Sequence, residues 1–379
     1  MACPNYWDSP FRVGSHHLAR GFIQDGWRVA YVSDPISPLH WLSDPSDELR
    51  ERFRNYRTGG VSRLDGRLWA YVPAALLTPH NKPVLRTNWV SRHWPLLSWP
   101  NVVTMACVRG FTDVDLLYLD SVAQRFWVDK VKARRSVYRV ADRSSGFLKS
   151  TKATLCAERE LAQSVSLVVY TAHSLQSHVE SLGPKKVLHL PNGVDLDHFV
   201  NGDRSMPHDL VGVRRPIAIY VGALDVWFDY DLINFATRNL PDVSFVLIGP
   251  DDLARRKLEH RPNLHLLGRR PYESLPGYLY NADVGLIPFD VRGHSRLVNG
   301  IHPLKLYEYM ACGLPVVAVE WEELTYLRSP ALLTRDASGF VEAVEAAVGQ
   351  PPDRERLLRF ASSADWRGRV TKLLAALYS

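Results

Sequence analysis

Lys305 and Glu308 stand three residues apart in HPLKLYEYMACGLPVVAVE, residues 302–320. Leu304, Tyr307 and Ala311 recur with helical spacing, Gly313 falls where a helix would end, and Pro315 stops any continuation. The segment therefore reads helix, tight turn, strand. A lysine is disfavoured at the positive end of a helix dipole. An anion at that end explains it, because a phosphate there would receive backbone N–H groups and the Lys305 ammonium together. Glu308, one turn deeper on the same face, could accept hydrogen bonds from two vicinal hydroxyls such as a ribose offers. The alternative is a solvated i,i+3 ion pair worth about 0.2–0.5 kcal/mol.

Three other stretches carry groups with chemical use. In PIAIYVGALDVWFDYDL (216–232), a β-rich run ends at Gly222, where a diphosphate could approach the backbone; a plain βα turn is the alternative. In YRVADRSSGF (138–147), Asp142 follows a strand and opens a polar loop, which suits a general base or, equally, a turn or cap carboxylate. The paired aspartates Asp113/Asp115, Asp195/Asp197 and Asp229/Asp231 have the form that holds a divalent metal on a diphosphate. None sits directly at the carboxyl end of a strand, so they read as loops and helix starts, and no metal site is assigned. His16 and His17 open a helix; being adjacent, they do not form an i,i+4 metal pair, and their use is either on the acceptor side of a site or on the surface. The four cysteines show no CxxC pair, which argues against zinc and against a disulfide framework.

These residues need elements to hold them. Short apolar runs alternate with helical stretches: Arg28–Ser33, Leu116–Leu119, Ser136–Val140, Leu167–Tyr170 and Val187–Leu190 in the first half. Pro216–Val221, Val243–Ile248, Leu264–Leu267, Val284–Pro288 and Pro315–Val319 follow in the second. Strands alternating with helices imply parallel sheets built from βαβ units, and two series imply two Rossmann-like halves. The break falls near residue 200, within the turn-rich stretch 191–215, and Arg354–Tyr378 reads as one or two amphipathic helices. Nothing before Ser15 is long enough for a full first strand, so either MACPNYW supplies its end or the chain starts late.

The 379 residues carry a net charge of +6. From Arg67 to Thr112 there is no acidic residue, while Arg67, Lys82, Arg86, Arg92 and Arg109 are interleaved with Trp69, Trp89, Trp94 and Trp99. That combination suits an anionic membrane interface, or else a buried aromatic core with a few surface arginines. No RNP, KH or zinc-finger pattern points to nucleic acid. No run is long and apolar enough to span a bilayer, and no signal peptide is read at the N-terminus.

HPLKLYEYMACGLPVVAVE resembles the nucleotide-binding signature of GT-B glycosyltransferases, and PNGVDLDHF (191–199) resembles the segment that closes their N-terminal domain. The order of motifs fits nearly the whole chain. Within that superfamily the chain is similar to the xanthan-assembly β-1,2-glucuronosyltransferase family, whose YRxSDG-like element corresponds to YRVADRSSGF. The resemblance implies an α/β GT-B fold, with two Rossmann-like domains facing each other across a cleft: an acceptor domain over 1–198, a donor domain over 199–355, and a terminal helix, 356–379, packing back on the first. It implies Asp142 as catalytic base and Leu224, Phe289, Leu304, Lys305 and Glu308, beside Gly222, as nucleotide contacts. It also implies an inverting, metal-independent transfer from a UDP-sugar, glucuronate in that family, with no cofactor. The acceptor would be a lipid-linked saccharide, at the cytoplasmic face of the plasma membrane. Retaining GT-B enzymes carry a glutamate eight residues before the position of Glu308; here that residue is Gly300, which favours inversion. Arg143 replaces the family's glycine after the base, and Glu308 replaces its amide. The alternatives are a retaining transferase, a sugar-nucleotide epimerase and a non-catalytic nucleotide-binding docking protein.

Overall fold

The computed structural model describes residues 1–43, 46–83, 85–142, 151–350 and 352–378. The chain divides into two units. The first comprises Met1–Ser9, Val13–Leu190 and Val370–Ser379; the second comprises Pro10–Arg12 and Pro191–Arg369.

The first unit is built on an eight-stranded sheet: β1 (Ala2–Cys3), β2 (Val29–Ser33), β3 (Val61–Arg63), β4 (Leu68–Tyr71), β5 (Asp113–Leu119), β6 (Lys132–Val140), β7 (Leu167–Tyr170) and β8 (Val187–His189). Their order is β3-β4-β2-β1-β5-β6-β7-β8, parallel throughout except for the β3–β4 hairpin at one edge. MACPNYW thus supplies a strand of two residues in the middle of the sheet, pairing β2 at Val32 and Ser33 and β5 at Leu119. Because β1 is so short, a cavity of about 640 Å³ opens at the amino ends of β2 and β5, lined in part by Phe22, Trp27, Val29, Phe111, Leu116 and Trp127.

The second unit carries β9 (Ile217–Val221), β10 (Ser244–Ile248), β11 (Leu264–Gly268), β12 (Val284–Ile287), β13 (Val316–Val319) and β14 (Leu332–Thr334). All are parallel, in the order β11-β10-β9-β12-β13-β14. This is the doubly wound order in which ligands bind at the carboxyl ends of the strands flanking the reversal, here β9 and β12. Every residue of β7, β10 and β12 is buried, as expected when helices cover both faces of a parallel sheet.

The division falls at Leu190, earlier than 198. Pro191–Phe199 is fastened inside the second unit: Val194 N–H donates to Ala364 O, Trp366 N–H donates to Val194 O, and the Phe199 side chain is fully buried. The C-terminal segment is also divided differently from the 356–379 expectation. The helix Arg354–Ser362 stays with the second unit, where Phe360 stacks on Tyr307 at 5.3 Å. From Val370 onward the helix Trp366–Tyr378 belongs to the first. There Val370 fills the space a Cβ on Gly21 would need, 2.5 Å from its Cγ2. Lys186 Nζ and Arg135 Nε donate to Ala376 O and Leu377 O at 2.7 and 2.8 Å.

Candidate active site

In the second unit the helix Leu304–Ala311 closes with a Schellman turn: Leu314 N–H donates to Tyr309 O and Gly313 N–H to Met310 O, with Gly313 at φ +71°. That end returns the chain into β13. The other end presents Lys305. Its ammonium lies 5.2 Å from the ring centre of Tyr220, in β9, and 5.1 Å from that of Phe289, just past β12. Two π faces hold the cation, and it forms an ion pair with no described residue. Burial lowers its pKa, while Glu308 one turn on pulls it back up. Burial raises the pKa of Glu308, with Lys305 opposing and Asp195 adding to the rise.

The floor of this site is backbone. A Cβ on Gly249, just past β10, would sit 1.9 Å from Gly222 O, and one on Gly222 would sit 3.1 Å from Lys305 Nζ. The turn after Gly222 is pinned by two tyrosines, Tyr220 donating to Ala223 O and Tyr230 to Leu224 O, both at 2.8 Å. Tyr309 Oη accepts from Val221 N–H at 2.8 Å, its ring lying where a side chain on Gly285 would go. The loops after β9 and β12 are joined: Asp229 N–H donates to Pro288 O and Asp290 N–H to Trp227 O, each at 2.8 Å.

The structure therefore gathers Gly222, Phe289 and Lys305 at one spot. Leu224 is buried in the same turn. Leu304 opens the helix, and Glu308 lies one turn behind Lys305. Gly249, Tyr220 and Tyr309 were not singled out from the sequence. Gly249 carried a usable signal, since LIGP repeats the strand-then-glycine pattern of IYVG.

In the first unit, three carboxylates follow three strand ends: Asp34 after β2, Asp120 after β5 and Asp142 two residues after β6. Arg139 Nη1 donates to both carboxylate oxygens of Asp120, at 3.2 and 3.1 Å, and both side chains are 4% exposed. Asp34 Oδ1 accepts from Ser121 Oγ at 2.6 Å and Gln124 Nε2 at 3.1 Å. Burial pushes its carboxyl up to about 6 against these hydrogen bonds. Asp142 is half-buried, and burial raises its carboxyl to about 6, with Arg139 opposing and Asp120 adding. Such a carboxyl is a stronger base than a solvated aspartate. The next described helix, Lys152–Ser164, is capped by Thr151, not by Asp142. Arg143–Phe147 lie outside the described residues.

The remaining sequence candidates find other partners. His16 is fully buried: Nδ1 accepts from Val13 N–H at 3.1 Å, which leaves Nε2 to carry the proton toward Tyr6 O, also 3.1 Å. Main chain engages both ring nitrogens. His17 is buried beside it. Asp113 and Asp115 pair across to Lys132 and Arg134 on β6, and Asp195 and Asp229 cap helices. Among the described residues no three His, Cys, Asp or Glu form a metal-binding group, and no helix is long and apolar enough to cross a membrane. Of the tryptophans in the acid-free stretch, Trp69 and Trp94 are core residues, Trp94 donating to Ala123 O at 2.7 Å; Trp89 and Trp99 are exposed.

Comparison with known proteins agrees with this architecture. Residues 1–171 match the family described as Glucuronosyltransferase GumK, N-terminal domain, and residues 215–350 match Glycosyl transferases group 1. A protein described as "Putative teichuronic acid biosynthesis glycosyltransferase TuaH", of Bacillus subtilis (strain 168), is 25% identical over 225 residues, 55% of this chain and 56% of its own. A D-inositol 3-phosphate glycosyltransferase of Geodermatophilus obscurus is 29% identical over 251 residues, 58% of this chain and 53% of its own. The chain thus spans about half the length of the curated relatives it matches. Among solved structures, a sucrose-phosphate synthase from Thermosynechococcus elongatus superposes with a TM-score of 0.70 at 15% identity, covering 100% of this chain and 97% of that one. HepE of Anabaena, solved with UDP and glucose, gives 0.63 at 16%, covering 100% and 99%. A trehalose-6-phosphate synthase studied for glycosyl transfer with retention gives 0.64 at 12%, covering 100% and 98%. The chain thus carries a segment similar to the GumK N-terminal domain ahead of one similar to group 1 glycosyl transferases, on the two-domain α/β fold of these solved structures.

Proposed function

We propose that the chain transfers a sugar from a UDP-sugar to a hydroxyl of a lipid-linked saccharide, with inversion at the anomeric carbon. The observation that carries this reading is the Lys305 ammonium, held over Tyr220 and Phe289 beside Gly222 with no described anion paired to it. A departing nucleoside diphosphate supplies the missing charge, and Lys305 with the N-terminal amides of its helix stabilises it as the bond breaks. The acceptor oxygen attacks the anomeric carbon, the bond to the diphosphate oxygen breaks, and the acceptor proton passes to Asp142. In this scheme the leaving group's charge is met by Lys305 and backbone, so turnover withstands EDTA.

Glucuronate is the sugar that the GumK-type domain supports, and UDP is the nucleotide that HepE was solved with. Peripheral contact with an anionic membrane is supported by the exposed side chains of Leu76, Leu96 and Trp99. A thermal-shift panel of UDP-glucuronate, UDP-glucose, UDP, UMP and uridine tests the donor. The proposal expects the diphosphates to raise the melting temperature and uridine to do little, because a ligand that binds only the folded state stabilises it by RT ln(1 + [L]/Kd). A panel with no response to any diphosphate would end the reading.

A further inference from the structure

We propose that Trp321 is a positioning residue for the departing diphosphate: it fixes the Phe289 ring and the entry to the helix Leu304–Ala311, and so fixes where the Lys305 ammonium sits. The inference rests on the reading of Lys305 as the group that meets the diphosphate. A lysine carries a point charge on a flexible four-carbon stem, so one that makes no ion pair with a described residue goes where its surroundings hold it. Two rings hold this one. Tyr220 has a polar end to anchor it, its hydroxyl donating to Ala223 O at 2.8 Å. Phe289 has no polar group, so its ring is kept in place by packing.

Trp321 supplies part of that packing. It follows β13, leads into the helix Glu322–Leu327 and is 3% exposed. Its ring centre lies 5.5 Å from that of Phe289, with the planes inclined by 33°. Its Nε1 donates to Ile301 O at 3.2 Å, just ahead of the helix that carries Lys305. Next to that bond, Asn192 Nδ2 donates to His302 O at 2.8 Å and fastens the same loop. The contacts form a closed circuit. Trp321 packs on Phe289, Phe289 faces the Lys305 ammonium at 5.1 Å, and the Lys305 helix is tied back to Trp321 through Ile301. An indole suits this place because it offers a large apolar face and one N–H at its edge. Its effect on the diphosphate is preorganisation: the ammonium is already in place when the charge develops, and a small misplacement would weaken that contact.

The test is a double-mutant cycle with Lys305→Ala, read by titration calorimetry of UDP and uridine on the full chain. Trp321→Phe keeps a ring beside Phe289 and removes the N–H that holds Ile301 O. It should lower UDP affinity by about 3- to 10-fold, within the range a displaced cation–π contact covers, and leave uridine nearly unchanged. With Lys305→Ala already in place, Trp321→Phe should cost UDP less than about twofold, because residues acting through one group are not additive. Equal losses for UDP and uridine, or the same UDP loss in both backgrounds, would overturn the proposal and make Trp321 a general core residue. Trp321→Phe leaves a carbonyl short of a donor and is the variant at risk of not folding. In that event Phe289→Leu carries the test, since it removes the ring that Trp321 sets and keeps the bond to Ile301 O. Its UDP loss must also disappear in Lys305→Ala, and no loss, or an undiminished one, would overturn the proposal. Wild-type protein that binds no UDP would end the reading of Lys305 itself, whereas unselective losses in a wild type that does bind would end only the role of Trp321.

Discussion

A Cβ on Gly222 would lie 3.1 Å from the ammonium of Lys305. The lysine therefore covers the bare backbone at the end of β9, the point in a doubly wound sheet where a diphosphate is expected. Lys305→Ala should leave the fold intact, because the side chain lies over bare backbone and makes no described ion pair. A charge-assisted hydrogen bond to phosphate is worth about 1.5–3 kcal/mol, so UDP affinity should fall by about 10- to 150-fold. Uridine, which lacks phosphate, should bind nearly as before. Titration calorimetry of both ligands checks the contrast, and equal losses would place the lysine elsewhere.

The same lysine gives binding a pH signature. Burial lowers its pKa in the free protein, and a bound diphosphate must raise it again. UDP binding should therefore take up protons wherever the free lysine is partly neutral, and it should weaken as pH rises through that lowered range. Calorimetry in two buffers of different ionisation enthalpy measures the uptake. Lys305→Ala should abolish it, and uptake that survives that substitution would assign the proton to another group.

Asp34 offers a stability test in the first unit. Its carboxyl is raised from 3.8 to about 6 by burial, so between those values the folded chain holds a proton that the unfolded chain has lost. Stability from this group is full below pH 3.8 and is lost as pH rises to about 6. Asn keeps the acceptor for Ser121 and Gln124 and has no charge to bury. Asp34→Asn should therefore stabilise the protein by about 1–2 kcal/mol at pH 7.5, after discounting partial exposure, and by nearly nothing at pH 4. Urea unfolding at the two pH values reads the difference, and a variant destabilised at pH 7.5 would show that the carboxylate is doing something other than enduring burial.

How far the sequence revealed these sites depends on which forces leave a local mark. The parallel strands β7, β9, β10, β12 and β13 were legible within about a residue, because strands covered on both faces must be continuously apolar. β1 was not, since two residues carry no period. The β3–β4 hairpin lies in VSRLDGRLWAY, where Asp65-Gly66 is a turn signal, but from Arg67 on the lack of acidic residues is the more conspicuous pattern. Lys305, Glu308 and Phe289 were visible through motif resemblance. Gly249 under Gly222 and Tyr309 under Gly285 were not, because each contact joins segments distant in sequence. Asp120–Arg139 is of the same kind. His16 shows the opposite case, a residue conspicuous in sequence whose nitrogens are used by main chain.

The acid-free stretch leaves several apolar side chains exposed. Leu76 N–H donates to Leu97 O and Trp99 N–H to Ala74 O, so the two segments lie side by side, and Leu76, Leu96 and Trp99 on them are 62%, 70% and 82% exposed. Lys82 and Arg86 are exposed in the same stretch. Wild-type protein should float with anionic liposomes and lose that association at high salt. Leu96→Ser/Trp99→Ser should weaken flotation several-fold without changing the melting temperature. Equal recovery with neutral and anionic lipid would reduce the patch to ordinary surface.

Asp142 decides the stereochemical reading. Its carboxyl follows β6 and is raised to about 6 by burial, so it is ionised at neutral pH yet basic enough to take a proton from a sugar hydroxyl. A positioned base contributes about 10²–10⁴-fold in rate. Asp142→Asn keeps the shape and most hydrogen bonding but cannot accept a proton. kcat should fall by about 10²–10⁴-fold while donor affinity stays nearly unchanged, because the base acts in the transition state and not on the bound nucleotide. The wild-type kcat should also fall at acid pH as the carboxyl takes up its proton near 6, and the surviving rate of the variant should lack that limb. If Asp142 were only a turn residue, Asn would serve as well, and kcat would barely move. A folded, fully active Asp142→Asn enzyme would remove the inverting base and leave transfer with retention, as studied in the trehalose-6-phosphate synthase, as the reading to pursue.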